Sequence, residues 1–323
     1  MTYHPVLVHT RAQLADALAP LSGTKALVMT MGALHAGHLE LVREARRLAD
    51  HVIVTIFVNP TQFAPGEDYD AYPRTLDADM DALESVGADL VWAPAPQDVY
   101  PTPATVSIDP GPIARVLEGK TRPTHFSGVA LVCSKVANLV RPDVALYGQK
   151  DAQQLAVLRT VFAQLDIPVR IHAVPIVRAR DGVALSSRNQ YLSDDERVRA
   201  RALSRALLRG VAAAEAGADA ARIVEACRAV IDEEGGIELD YIAVVDAGSF
   251  EILAGTDGVP VDGGGGAPTL LPDGSRDGRI LIAARVGTTR LIDNMEAPLG
   301  AVSPTTGAGV ASRVASQHTG EDA

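Results

Sequence analysis

The sequence predicts an α/β protein: a mostly parallel sheet with helices on both faces over residues 1–175, then a smaller α+β region over 176–299. Two observations carry this expectation. Continuous apolar runs at 25–31, 52–58, 88–92, 144–147 and 169–174 alternate with amphipathic helical stretches, the signature of strands buried on both faces and joined by helical crossovers. After about Pro175 that alternation stops, and two Ala- and Arg-rich helical patterns are followed by two apolar runs at 240–245 and 280–284 that can pair.

Taken in order, residues 10–19 read as a short helix with Thr10 as its N-cap. The run at 25–31 is the first buried strand. A helix over 38–50 places Leu39, Val42, Ala45 and Ala49 on one face and Glu40, Arg43, Glu44, Arg46 and Arg47 mostly on the other. The strand at 52–58 ends in the polar loop Asn59-Pro60-Thr61-Gln62-Phe63. Leu76, Met80, Leu83 and Val86 mark the next helix, and their stripe reads as core packing.

A Pro-rich stretch over 94–112 contains a short strand at 105–108, and 118–126 reads as a polar, mobile loop with three potential cations. A helix over 128–139, the strand at 144–147, a turn at Gly148-Gln149-Lys150-Asp151 and a helix over 152–165 lead into the strand at 169–174. Right-handed crossovers then set the loops after residues 31, 58, 147 and 174 along one sheet edge, where open α/β sheets bind ligands. Beyond this, 176–188 is a loop rich in charge and hydroxyls, and helices follow over 194–214 and 218–234. The Gly-, Pro- and Asp-rich stretch 255–278 reads as a flexible insertion, and 300–323 as a disordered tail.

Charge narrows the function. With 29 Lys plus Arg against 40 Asp plus Glu, the net charge is −11, and no basic block is present; neither nucleic acid nor a membrane surface is an expected partner. Cys133 and Cys227 are the only cysteines, too few for a zinc framework or a disulfide scaffold, and both suit small core positions. No signal pattern and no run of about 18 apolar residues occurs, so a cytoplasmic location is expected.

The chemistry centres on Met31-Gly32-Ala33-Leu34-His35-Ala36-Gly37-His38, at the junction of a strand and a helix. A helix start offers unpaired N–H groups and a positive dipole end, glycine allows close backbone approach, and two imidazoles three apart can donate to phosphate oxygens. The same four residues also fit a βα turn at the surface or half of a zinc site. Their company decides for phosphate. The other loops bring Asn59 and Gln62; Lys150, Asp151 and Gln154; and Ser186, Ser187 and Arg188. This set suits ATP and a small polar acid, because a carboxylate attacking the α-phosphorus builds negative charge that fixed cations can meet.

In sequence order, the run 31–38, Ile56-Phe57-Val58-Asn59-Pro60 with Gln62-Phe63, Tyr72-Pro73-Arg74-Thr75, and the run from Arg122 to Val129 form the first four blocks of a resemblance. Lys150-Asp151-Ala152-Gln153-Gln154-Leu155, Leu185-Ser186-Ser187-Arg188-Asn189 and the run from Gly287 to Asn294 complete it. Together they resemble the pantothenate synthetases (pantoate–β-alanine ligases), nucleotidyltransferase-like enzymes with a His-x-Gly-His motif. The blocks are collinear and span about residues 5–296.

The resemblance implies a Rossmann-like first domain, a smaller C-terminal lid domain, a homodimer, and ATP- and Mg²⁺-dependent joining of pantoate to β-alanine through pantoyl adenylate. By position it implies that His35, His38, Lys150, Ser186, Ser187 and Arg188 hold the triphosphate, with His38 the proton donor. Met31, Gly32, Ala33, Leu34, Ala36, Gly37, Gln149 and Leu185 fall within the same ATP-binding blocks. Gly148, Asp151 and Val177 would bind ribose and adenine, and Met31, Gln62 and Gln154 pantoate, with Gln62 also near β-alanine.

Met29 and Gln149 depart from the family's usual proline and glutamate. Asp77, Asp79 and Asp81 could hold magnesium, but acidic residues in a helix's first turns more often complement its dipole; no metal ligand is assigned. Arg122 and His125 read equally as a cover over the site or as plain loop residues. Two rivals remain open: another nucleotidyltransferase with a phosphorylated acceptor, and an ATP-binding module without turnover.

Overall fold

The computed structural model describes residues 4–64, 66–67, 69–102, 105–256, 271 and 275–300. These divide into two compact units, Met1–Gln149 with Val157–Pro175 and Lys150–Ala156 with Ile176–Ala323.

In chain order the first unit begins with strand β1 (Val6–Val8) and helix α1 (Arg11–Leu18), whose N-cap Thr10 forms a capping box with Gln13. Then come β2 (Lys25–Thr30), α2 (Ala36–Leu48), β3 (His51–Ile56), α3 (Leu76–Val86), β4 (Leu90–Trp92) and the short α4 (Pro96–Val99). The short α5 (Glu118–Thr121), α6 (His125–Val140) and β5 (Val144–Gly148) follow. Helix α7 (Ala152–Gln164) and β6 (Arg170–Val174) come next.

Among the described residues the strands of this unit form one sheet in the order β1-β4-β3-β2-β5-β6, every pair parallel. Residues 26–28 and 52–54 are wholly buried, as continuous apolar strands require when both faces are covered. Ala26, Val28, Val52, Val54, Val144 and Leu146 share a core with Leu41, Val42 and Ala45 of α2 and Leu83 and Val86 of α3. Tyr147, one residue on, faces the other way and meets Cys133 of α6. The chain steps from β2 leftward to β3 but places β5 on the other side of β2. The topological switch point therefore lies between the C-terminal ends of β2 and β5.

The second unit contains α8 (Asp194–Glu215), α9 (Ala220–Glu234), β7 (Ile237–Asp246), β8 (Ile252–Gly255), β9 (Arg276–Val286) and β10 (Thr289–Leu299). Its antiparallel sheet runs β10-β9-β7-β8. Leu203 and Leu207 of α8 and Ile223, Cys227 and Ile231 of α9 pack on Ile242, Val244, Ile280 and Ile282 of the sheet. Each such fully buried aliphatic side chain contributes about 1.5–3 kcal/mol.

Three expectations change. Residues 105–108 form no strand: Val106 is 70 % exposed, and Pro110 and Pro112 remove the donors that would extend a ladder. Residues 118–126 are no open loop, because α5 forms there and α6 starts at a buried His125 and Phe126. The stretch 255–278 is ordered at its ends, with Gly255 closing β8 and Arg276 opening β9. Its remaining part (257–270 and 272–274) and 301–323 lie outside the described residues.

Candidate active site

The segment 31–38 leaves β2 through two left-handed residues, Gly32 (φ +85°) and Ala33 (φ +51°). A Cβ on Gly32 would stand 3.0 Å from Asp79 Oδ2, so the loop needs glycine twice over, for its φ and for room. Asp79, buried in α3, accepts N–H bonds from Ala33 (3.1 Å) and Leu34 (2.8 Å). That carboxylate is a clamp on the loop, a role its place in the first turn of α3 did not reveal.

Helix α2 starts two residues earlier than its apolar spacing suggests, because His35 caps it. Gly37 N–H donates to His35 Nδ1 (3.1 Å) and His35 N–H donates to His38 Nδ1 (3.4 Å), so the two imidazoles close a capping box. Their rings stack with centroids 4.0 Å apart. An Nδ1 that accepts carries no proton, so each neutral ring holds its hydrogen on Nε2. Two fixed Nε2–H donors at a helix start, beside the switch point, suit a phosphate.

Gln62 ends a 3₁₀ turn over Pro60–Gln62, just beyond β3, and is 8 % exposed. Its Nε2 donates to Met31 Sδ (3.2 Å), so two residues expected at pantoate are brought together. Its Oε1 accepts from Asn59 Nδ2 (3.1 Å), and Asn59 Oδ1 in turn accepts from Tyr100 O–H (2.9 Å). Burial pushes the Tyr100 phenol up, keeping it a neutral donor.

From the other side, His125 Nδ1–H donates to the Gln62 carbonyl (3.1 Å) and Arg122 Nη2 donates to it as well (3.3 Å). Arg122 also grips Glu67 with two bonds of 3.1 and 2.7 Å. Burial pushes the Glu67 carboxyl up, yet Arg122 outweighs that and holds it below the usual carboxylate range. Arg122 and His125 thus hold the turn that carries Gln62 rather than forming a mobile cover. Tyr100, distant in sequence and set in a Pro-rich stretch, gave no sign of this role.

Gly148 ends β5 opposite Val174, at the switch point. In the second unit, Lys150 lies on a 3₁₀ turn (Gln149–Asp151) with its ammonium 3.9 Å from Asp151 Oδ1. Gln154 is half-buried on the first turn of α7. Val177 and Leu185 meet across a small hairpin: Leu185 N–H donates to Val177 O (3.0 Å), and Arg178 bridges Ala184. The hairpin delivers Ser186, whose Oγ caps the turn Ser187–Tyr191 by accepting from Arg188 N–H (3.3 Å). Val177, expected at adenine, and Ser186, Ser187 and Arg188, expected at the triphosphate, are therefore one local structure.

The described residues contain no group of three or more His, Cys, Asp or Glu that could hold a metal ion. None of their helices is long and apolar enough to cross a membrane.

Known proteins show the same pattern. A family model described as pantoate-beta-alanine ligase matches residues 6–296. The pantothenate synthetase of Salinispora arenicola is 48% identical over 299 residues, covering 92% of this chain and 99% of that protein. The pantothenate synthetase of Acidothermus cellulolyticus is 46% identical, covering 91% and 92%. Among solved structures, pantothenate synthetase from Thermus thermophilus superposes with a TM-score of 0.79 at 39% identity, over 90% of this chain and 98% of that one. Pantoate-beta-alanine ligase from Francisella tularensis, solved with β,γ-ATP and β-alanine, gives 0.70 at 30% identity, over 90% and 97%. The stacked histidine cap, the Met31–Gln62 pair and this match across both units lead to one conclusion: the chain belongs to the pantoate–β-alanine ligase family.

Proposed function

We propose that the protein joins pantoate to β-alanine with ATP, through pantoyl adenylate, releasing AMP and pyrophosphate. The observation that carries the reading is the histidine cap, in which both Nδ1 atoms accept from backbone N–H groups at the start of α2 and so direct the ring N–H to Nε2. His35 and His38 hold the triphosphate with Lys150, Ser186, Ser187 and Arg188. Gly148, Asp151 and Val177 hold ribose and adenine. Met31, Gln62 and Gln154 hold pantoate, and Gln62 also serves β-alanine.

Pantoate's carboxylate attacks the α-phosphorus in line, and charge growing on the phosphate oxygens and pyrophosphate is met by Lys150, Arg188 and the two imidazoles. His38 can donate a hydrogen bond from Nε2–H to the departing pyrophosphate. The neutral amine of β-alanine then attacks the carbonyl carbon of the mixed anhydride, the acyl C–O bond to AMP breaks, AMP leaves and the amine's proton is lost to solvent. Mg²⁺ would be held chiefly by ATP phosphates, the usual manner of that ion, and would offset charge on the leaving group. No protein ligand is assigned to it. A cytoplasmic homodimer completes the reading, and sedimentation of the full chain tests the oligomeric part.

The test is AMP release followed by mass analysis of the product, with pantoate and β-alanine omitted in turn. A requirement for both acids is expected. Pyrophosphate and an adenylylated acceptor without free AMP would reject ligation in favour of simple nucleotidyl transfer, and no turnover of ATP at all would reject it in favour of nucleotide binding. Lys150→Ala is expected to lose at least about 10²-fold in turnover; a near-normal rate would remove Lys150 from the clamp.

A further inference from the structure

Asp293 and Asn294 sit in the middle of β10, at the sheet edge, where a charge and an amide are both wholly buried. Polar side chains are costly there unless each bonding group is matched. The side-chain oxygens of Asp293 and both ends of the Asn294 amide are matched, whereas Nε of their partner Arg178 is buried without a hydrogen bond; the chain of partners ends at Lys150.

Arg279 Nη1 donates to Asn294 Oδ1 (2.6 Å). A guanidinium can only donate, so this bond fixes which end of the amide is oxygen. The opposite end, Nδ2, donates to the main-chain carbonyl of Lys150 (3.0 Å), 144 residues away in sequence. Asn294 is itself held, its N–H donating to Asp293 Oδ1 (2.7 Å) and its carbonyl accepting from Arg178 Nη2 (3.2 Å). Arg178 grips Asp293 with both terminal nitrogens, at 2.6 and 2.9 Å, and reaches the Gly182 carbonyl from Nη1 (3.2 Å). Burial pushes the Asp293 carboxyl up, while Arg178, and more weakly Lys150, pull it back.

We infer that Asn294 is a positioning residue for Lys150, and that Asp293 and Arg178 set Asn294 in place for it. The inference rests on the reading of Lys150 as an ATP-phosphate residue. A lysine ammonium is a point charge on a flexible four-carbon stem, so its reach is only as definite as its Cα. Lys150 stands on a single 3₁₀ turn, which by itself is a weak foundation. The amide of Asn294 ties that turn to the second unit's sheet. Because Arg178 follows Val177 and bridges Ala184, the same buried network also holds the hairpin leading to Ser186, Ser187 and Arg188.

The test pairs two variants with a double-mutant cycle. Asn294→Asp keeps the size and the Arg279 contact but turns a carboxylate oxygen toward the Lys150 carbonyl. It is expected to lower kcat/KM for ATP about tenfold or more, since small misplacements of a reacting group are costly. The KM for pantoate is expected to stay near that of the parent, while the melting temperature falls, because a buried carboxylate oxygen is left facing a carbonyl oxygen. Asn294→Ala is expected to lose similarly in the parent and to lose almost nothing further in a Lys150→Ala background, because its effect passes through Lys150. An equal loss in both backgrounds, or full ATP efficiency in Asn294→Asp, overturns the inference. If Asn294→Ala melts below the assay temperature, the near-isosteric Asn294→Asp in the same two backgrounds decides. Normal turnover of Lys150→Ala rejects the reading of Lys150 and this inference with it, whereas a crippled Lys150→Ala beside an unaffected Asn294→Asp rejects the inference alone.

Discussion

The proposed function gives the histidine pair two jobs on two different nitrogens, and they can be separated. Nδ1 of each ring caps α2, and Nε2 is the proposed donor to phosphate. Glutamine at the third helical position also accepts from an N-cap N–H, so His38→Gln keeps the helix start while removing the ring donor. Its expected outcome is an unchanged far-ultraviolet spectrum and melting curve with turnover down about 10²-fold or more. A rate near the parent's would show that the ring's Nε2 is idle. At this scale the reactive residue types were legible in the sequence, because His-x-Gly-His after an apolar run is a local pattern. The supports were not. Asp79, Asn59 and Tyr100 reach their partners across 46, 3 and 41 residues, and two of these three connections leave no local spacing to read.

The element that fixes the turn carrying Gln62 is α6. Its Gly128 packs so tightly on the 60–62 turn that a Cβ would stand 2.2 Å from the Thr61 carbonyl oxygen and 2.7 Å from Gln62 Cα. Gly128→Ala must push the turn, and with it Gln62, away from Met31. The expected outcome is a KM for pantoate raised about tenfold with that for ATP little changed, and a destabilisation of about 1–3 kcal/mol from overpacking. Steady-state kinetics with each substrate varied checks the first, and denaturant titration the second. The central strands were legible because burial on both faces leaves an unbroken apolar run. Strands β1 and β10 were not. The first is three residues long with Val6 57 % exposed, and the second carries Asp293, Asn294, Glu296 and Pro298. Pro298 is tolerable because β10 is an edge strand.

For the whole molecule, acid is the expected weakness. Asp246 is fully buried and accepts from Gly248 and Ser249 N–H, from Ser249 Oγ and from Arg276 Nε (2.6 Å). Burial raises its pKa, but these donors outweigh it and hold the carboxyl below the usual range. Arg197 does the same for Asp181, and Arg122 for Glu67, each against burial. A carboxyl with a folded pKa below its unfolded value contributes stability that is complete above the unfolded value, about 4, and is lost as pH falls through the folded one. Melting temperature is therefore expected to hold from pH 7 to about 5 and drop steeply below about 4. Asp246→Asn should melt lower at pH 7 and show a shallower acid drop; an unaltered slope would mean that Asp246 carries none of the linkage. Such ion pairs were invisible in a sequence of net charge −11, where one carboxylate reads like another. The two-part organisation was visible as a change of pattern after Pro175. The membership of 150–156 in the second unit was not, since no shift of composition marks it.

The bond from Asn294 to Lys150 also sets a clock. A ribosome that has just placed Lys150 must add 144 more residues before its anchor exists. At about 5–20 residues per second that is a delay on the order of ten seconds. The nascent chain enters that interval with both histidines and Lys150, and gains Ser186, Ser187 and Arg188 during it while the lysine's turn stays untethered. On the proposed role of Lys150, chains abandoned in that window would turn ATP over slowly, and full activity would arrive only as β10 is laid down.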